Sequence, residues 1–192
     1  MTTQVLPPST SGPAASRISI AIPVLETERL ILRAPHADDF EHVAAFFADA
    51  GRSWGFGGPS DRAEAWRWFA GLIGHWAIRG FGFWIIVDRT TDTPIGLTGI
   101  WEPEGWPEPE LGWVMFEGSE GKGYAFEAAQ AARAHAYNVW GMSALTSNIF
   151  PGNTRSVALA ERMGAVHERD YENVKHGTEM VYRHPGPKEI AA

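Results

Sequence analysis

The sequence predicts a single mixed α/β or α+β domain, a sheet carrying helices on its faces. Segments with strand patterning alternate with segments of helical spacing along most of the chain. Two consecutive strand-like segments, "FGFWIIVDR" and "PIGLTGIWEP", are joined by the short turn "TTDT", so the sheet starts antiparallel. A later strand, "ELGWVMF", runs through a glycine-rich loop straight into an alanine-rich helix. With 192 residues, 44% hydrophobic and 20% charged, the chain has enough sequence for one sizeable core and the composition of a globular domain. It contains no internal repeat.

Taken in order, "MTTQVLPPSTSGPAASR" is rich in Pro, Ser and Thr and has little to bury. Residues 1–24 are therefore expected to be a flexible tail, 25–185 the domain, and 186–192 a C-terminal tail. "TERLILRAP" alternates Leu30 and Leu32 with polar residues and stops at a proline, which predicts a strand. In "HADDFEHVAAFFADA", Phe40, Val43, Phe46 and Phe47 recur at helical spacing behind Asp38 or Asp39 as cap. "RSWGFGGPSD" reads as a loop by its glycines and Pro59. Asp61 then caps a helix through Trp66, Phe69, Leu72, Ile73 and Trp76, ending near Gly80.

After the two antiparallel strands and "ELGWVMF", the segment "YAFEAAQAARAHAYNVW" is an alanine-rich helix that closes at Gly141. "SALTSNIF" predicts a strand, and "NTRSVALAERM" a helix capped by Asn153 and ended by Gly164. "VHERDYENV" and "TEMVYRH" form a hairpin around His176 and Gly177.

Composition excludes several function classes. No cysteine is present, so disulfides, thiolate metal sites and a cysteine nucleophile are out. Formal charge is -7 without a block of Lys or Arg, which argues against nucleic-acid and anionic-membrane surfaces. No apolar run reaches the roughly 20 residues of a membrane span. "RISIAIPVL" is broken by Pro23, followed by Glu26 and Glu28, and lacks a small-residue cleavage site, so it does not read as a signal peptide. The expected location is cytoplasmic. None of the seven histidines has the spacing of a metal pair; His75 and His135 read as packing or surface residues, and no metal is expected.

The informative stretch is "EGSEGKGYA", residues 117–125. Strand, glycine turn and helix is an arrangement in which unpaired backbone N–H groups converge on an anion, helped by the helix dipole. Gly121 and Gly123 let a phosphate approach without meeting a Cβ. A P-loop requires Ser or Thr after Gly-Lys, where this chain has Gly123, and a dinucleotide fingerprint requires a third glycine where it has Phe126. Neither fits, and by itself the loop is equally well a tight structural connection.

Several segments together resemble the GNAT superfamily of acyl-CoA-dependent N-acyltransferases, in particular its RimJ/RimL branch acting on ribosomal-protein N-termini. Glu120-Gly121-Lys122-Gly123-Tyr124-Ala125 lies on the family signature Arg/Gln-x-x-Gly-x-Gly/Ala. "LETERLILRAPHADDFEHV" is similar to the branch's first strand and helix, "ELGWVM" to its fourth strand, and "PGNTRSVALAERMGA" to its Pro-x-Asn-x-x-Ser segment. The similarity runs over roughly residues 25 to 183. One position departs from it: Glu120 stands where the family has Arg or Gln. Either it points outward or it weakens cofactor binding, and the outward orientation is expected because the loop binds phosphate through backbone amides. Lys122 is available as compensating charge.

The resemblance implies a twisted mixed sheet splayed between its fourth and fifth strands, with acetyl-CoA in the wedge and a primary amine attacking directly. It places Val114, Met115 and Phe116 along the pantetheine and thioester, with an amide near Met115 polarising the carbonyl. Glu120 to Ala125 hold the diphosphate. Glu110, at the opening of that strand, is the expected base, with Glu102, Glu104 and Glu108 as substitutes. No tyrosine occurs in "SVALAERM", so Ser156 takes the place of the usual proton donor to the leaving thiolate, beside Asn153. Each also has an ordinary structural reading, Asn153 as a helix cap and Ser156 as a first-turn serine. Trp54 and Phe56 on the glycine loop, with Trp101 and Trp106, are the expected acceptor-side residues. A homodimer is compatible with this reading.

Overall fold

The computed structural model describes residues 3–5, 19–173 and 177–190. Among these residues are ten strands and six α-helices: β1 (Thr3–Val5), β2 (Ala21–Pro23), β3 (Leu25–Glu26), β4 (Leu30–Arg33), α1 (Phe40–Ala48), α2 (Ala50–Ser53), α3 (Arg62–Arg79), β5 (Phe83–Asp88), β6 (Thr93–Trp101), β7 (Glu110–Met115), α4 (Tyr124–Asn138), β8 (Thr146–Ile149), α5 (Thr154–Arg162), β9 (Val166–Asn173), β10 (Gly177–Arg183) and α6 (Pro187–Ile190). β1 and β2 form a separate antiparallel pair, and Ile22 is completely buried, so packed chain begins before residue 25.

The main sheet has eight strands in the order β3-β4-β5-β6-β7-β8-β10-β9. Every pairing in it is antiparallel except that of β7 with β8. β5 is an interior strand buried on both faces, which is why "FWIIV" is continuously apolar rather than alternating. Trp84 and Ile86 face the core beneath α4, where Ala128, Ala129, Ala132 and Ala136 let the helix approach closely. Phe83, Ile85 and Val87 face the opposite core with Phe40, Val43, Phe46 and Phe47 of α1 and Phe69 and Leu72 of α3. Burying each such side chain stabilises the fold by about 1.5–3 kcal/mol.

The helix signals act as the sequence predicts at most ends. Asp61 accepts from the Glu64 amide in a capping box, and Gly80 closes α3 at φ 78°. Asn153 caps α5 by accepting from the Ser156 amide. At α1 the reading changes: Asp39 caps nothing there but holds Arg33 through two 2.7 Å bonds and the His36 amide at 2.6 Å. "RSWGFGGPSD" is more ordered than a loop, since α2 and a 3-10 turn at Trp54–Phe56 occupy its first half. The hairpin of β9 and β10 forms, with the residues around His176 outside those described.

β7 and β8 pair in register only at Glu110 and Thr146, after which they part. Side chains occupy the facing edges where the strands part. The Ser147 hydroxyl donates to the Leu111 carbonyl at 2.6 Å, and the Asn148 amide donates to the Glu110 carboxylate at 3.3 Å. The Asn148 N–H is then not donated to a β7 carbonyl in a backbone ladder. The result is a wedge in the sheet at the point where the glycine loop follows β7.

Candidate active site

The wedge opens into a cleft of about 920 Å³ between the two sheet halves. Trp113 to Met115, Ser119 to Gly121 and Gly123 to Phe126 line one side, Asn153 to Ser156 the other, and Arg52 with Trp54 to Phe56 the mouth. Gly55 is pressed so close to Asn153 that a Cβ there would lie 2.5 Å from the asparagine Nδ2, so the mouth segment touches the α5 cap across the cleft.

Gly118, Gly121 and Gly123 have φ of 76°, 74° and 80°, the left-handed region that favours glycine. This winding turns the backbone N–H groups of Gly121, Gly123, Tyr124, Ala125 and Phe126 away from every protein acceptor among the described residues; the first amide of α4 to bond within the chain is that of Glu127, to Gly123 at 3.2 Å. These free donors stand at the positive end of a helix of 15 residues. The Tyr124 side chain is occupied elsewhere, its hydroxyl donating to Asp88 at 3.0 Å under the Arg29 guanidinium.

β7 presents one free edge to the cleft. The Phe116 amide donates to Ile95 at 2.9 Å on the β6 side, and since strand backbone alternates, the groups of Val114 also face β6. Those of Trp113 and Met115 face the wedge instead. Of the three residues expected along the cofactor, Met115 alone offers backbone there. Trp113 is a second, which sequence reading missed, although alternation from Met115 would have found it. The Val114 and Phe116 side chains are core, each 5% exposed.

Glu110 sits at the apex of the wedge rather than in the cleft wall. Its carboxylate accepts from the Trp106 indole at 2.6 Å and from both nitrogens of Asn148 at 3.3 Å. Burial pushes its pKa up to about 7 against the Trp106 hydrogen bond, and the neighbouring carboxylate of Glu179 adds to the rise. Glu179 on β10 is itself 4% exposed, its Oε2 has no hydrogen-bond partner among the described residues, and burial pushes it up to about 7 as well. Nothing in the local sequence "HGTEMVY" singles it out. Glu108 is the opposite case: Arg183, with Arg169, holds its carboxyl down to about 2, leaving a weak base. Glu102 lies 3.8 Å from Arg79, and Glu104 is exposed.

Ser156 and Asn153 both reach the cleft, and the Trp113 indole donates to the Ser156 hydroxyl at 3.3 Å. Trp54 and Phe56 line the mouth; Trp101 does not, being stacked on His75 with ring centres 4.4 Å apart. Trp106 serves Glu110. The Glu120 side chain is 34% exposed and is not turned wholly outward. It lines the cleft and forms an ion pair with Arg52. Lys122 lines a separate shallow groove with Glu28, Arg29 and Arg162. A second buried constellation, Ser147 with His184 at 2.9 Å, is not a nucleophile pair. The serine proton goes to the Leu111 carbonyl, so Ser147 accepts from His184 rather than donating to it. Among the described residues no cluster of ligands for a metal ion occurs, and no helix is long and apolar enough to cross a membrane.

The family model of the acetyltransferase (GNAT) domain matches residues 29–166, most of the chain. The chain belongs to the GNAT acetyltransferase family. An acetyltransferase from Agrobacterium tumefaciens is 37% identical, with TM-score 0.80 over 90% of this chain and 99% of that one. The same GNAT fold recurs in a putative ribosomal-protein-serine acetyltransferase of Vibrio cholerae, at 22% identity, TM-score 0.69, 84% of this chain and 97% of that one. It recurs again in spermidine N-acetyltransferase of Vibrio cholerae in complex with CoA and spermine, at 16% identity, TM-score 0.70, 86% of this chain and all of that one. The eight-stranded mixed sheet with helices on both faces is thus the GNAT sheet, and the gap between β7 and β8 is the splay that the resemblance implied.

Proposed function

We propose that the chain transfers an acetyl group from acetyl-CoA to a primary amine, either a protein N-terminus or a small-molecule amine, by direct attack. One observation carries the reading. Free N–H groups at the start of α4 adjoin a free strand edge at Trp113 and Met115 in one cleft, which suits a ligand with a diphosphate at one end and an amide-bearing chain at the other. The donor supplies the activated acyl thioester; the chain's own groups hold it, orient it and move protons. The amides from Gly121 to Phe126 take the diphosphate, the Trp113 and Met115 edge pairs with the pantetheine, and the Met115 N–H polarises the carbonyl. Glu110, poised near pH 7, takes the proton of the incoming ammonium directly or through water.

The aromatic mouth at Trp54 and Phe56 and the -7 net charge suit a cationic acceptor. Both reactants are water-soluble, consistent with a cytoplasmic enzyme. One observation supports a second reading, a catalytically degenerate acyl-CoA sensor: the Glu110 carboxylate is fully engaged and stands outside the cleft wall. Thiol release from acetyl-CoA, measured with N-terminal peptides, polyamines, aminoglycosides and amino acids, separates the two. Turnover on any of these amines supports transfer, and tight CoA binding with none supports the sensor. Absence of CoA binding overturns both.

A further inference from the structure

At the mouth of the cleft one guanidinium faces three carboxylates. Arg52 Nε lies 3.2 Å from Asp49, Nη2 lies 3.6 Å from Glu117, and Nη1 pairs with Glu120. Those carboxylate side chains are 49%, 87% and 34% exposed, and ion pairs this open to water add little to stability. The arrangement is therefore poorly explained as a stabilising device, and it is readily exchanged. Meanwhile the adjacent amides of Gly121 and Gly123 have no acceptor among the described residues. The other guanidiniums lining the cleft are those of Arg155 and Arg162, and Arg162 is stacked 4.0 Å over the Phe126 ring. Of the three, Arg52 is the one bonded to the glycine loop itself, from a position 68 residues away in sequence.

We propose that Arg52 is the cation that binds the diphosphate of the acyl-CoA donor, delivered from α2 in place of the side chain that Glu120 replaces, and that Glu120 holds it at the loop until the donor enters. The inference rests on the acyl-CoA reading above. A guanidinium presents a planar fork that matches two phosphate oxygens, and a diphosphate carries more charge than one carboxylate, so the exchange is favourable. Glu120 is then a competitor for Arg52 as well as a like charge near the phosphates.

Calorimetric titration of the full chain with CoA and with pantetheine, which lacks the diphosphate, tests this. Arg52→Gln is expected to weaken CoA roughly tenfold or more while leaving pantetheine unchanged. Arg52→Lys, keeping charge without the fork, should fall between wild type and Arg52→Gln. Glu120→Gln should tighten CoA. The proposal is overturned if Arg52→Gln changes CoA affinity less than twofold, if pantetheine weakens in step with CoA, or if Glu120→Gln weakens CoA. Should Arg52→Gln fail to fold, Arg52→Lys and Glu120→Gln decide alone. Wild-type protein that does not bind CoA removes the underlying functional reading; wild-type binding with unaltered Arg52 variants removes only the role of Arg52.

Discussion

The indole N–H of Trp113 on β7 donates to the hydroxyl of Ser156 on α5 across the cleft, at 3.3 Å. Indole nitrogen is a donor only, so the serine oxygen accepts in this bond and its own proton is left to point elsewhere. Under the proposed reaction, a first-turn serine whose hydroxyl proton is not used by Trp113, beside a free strand edge, would protonate the departing thiolate. Ser156→Ala is expected to lower kcat on the order of tenfold or less, because a thiolate with a pKa near 8.5 leaves readily. CoA affinity should be retained. Steady-state kinetics with a parallel CoA titration checks it, and wild-type kcat in the variant reduces Ser156 to the first-turn residue whose amide the Asn153 cap accepts.

Glu110→Gln keeps an oxygen to accept from Trp106 and Asn148, so the wedge should survive while the basic group is lost. At pH 7 kcat is expected to fall on the order of a hundredfold, with the deficit shrinking as pH rises and the amine deprotonates unaided. Wild-type activity should climb through an apparent pKa near 7 that belongs to the Glu110 and Glu179 pair rather than to either residue. A pH-rate profile in which the variant shows the same limb as wild type assigns the base elsewhere.

Two buried groups tilt stability with pH in opposite directions. Glu179 has its folded pKa raised to about 7 from 4.5, so the folded protein keeps a proton that the unfolded chain has released. That stability is complete below pH 4.5 and lost as pH rises through 7, with a ceiling of about 3 kcal/mol. Glu179→Gln, the neutral shape of the protonated acid, should therefore raise the denaturant midpoint at pH 8 and leave it nearly unchanged at pH 4.5. His184 works the other way: burial first, and then Arg133, lowers it to about 3 from 6.5, so its contribution is complete above pH 6.5 and lost as pH falls toward 3. In the Glu179→Gln background Glu110, also raised to about 7, still opposes the His184 limb between pH 4.5 and 7, and His184→Gln in that background should flatten the acid limb even at lower overall stability. Urea melts from pH 4.5 to 8 read both slopes.

Trp54 is 43% exposed at the cleft mouth, whereas Phe56 is packed among Phe46, Phe47, Trp68 and Phe83. Trp54→Ala should thus change stability by about 1 kcal/mol or less. If the ring meets the acceptor, KM for the amine rises several-fold with kcat and CoA affinity held. An unchanged KM across the amine panel removes Trp54 from the acceptor side.

The sequence by itself determined the elements and the loop. Strand and helix periodicity, Asp61 and Asn153 as caps, Gly80 and Gly164 as stops, and the positive-φ glycines between β7 and α4 are local facts, decided within a few residues by backbone sterics and hydrogen bonding. Tertiary structure decided the rest of the site. Which edge of β7 stays free depends on β6 lying on its other side, so Trp113 and Met115 face the wedge and Val114 and Phe116 do not. Likewise the Glu110 carboxylate acquires its pKa from Trp106, Asn148 and Glu179, and Glu120 acquires Arg52, through neighbours brought from distant positions. Burial and charge are summed over whatever surrounds a group in space, and no local spacing rule records those surroundings.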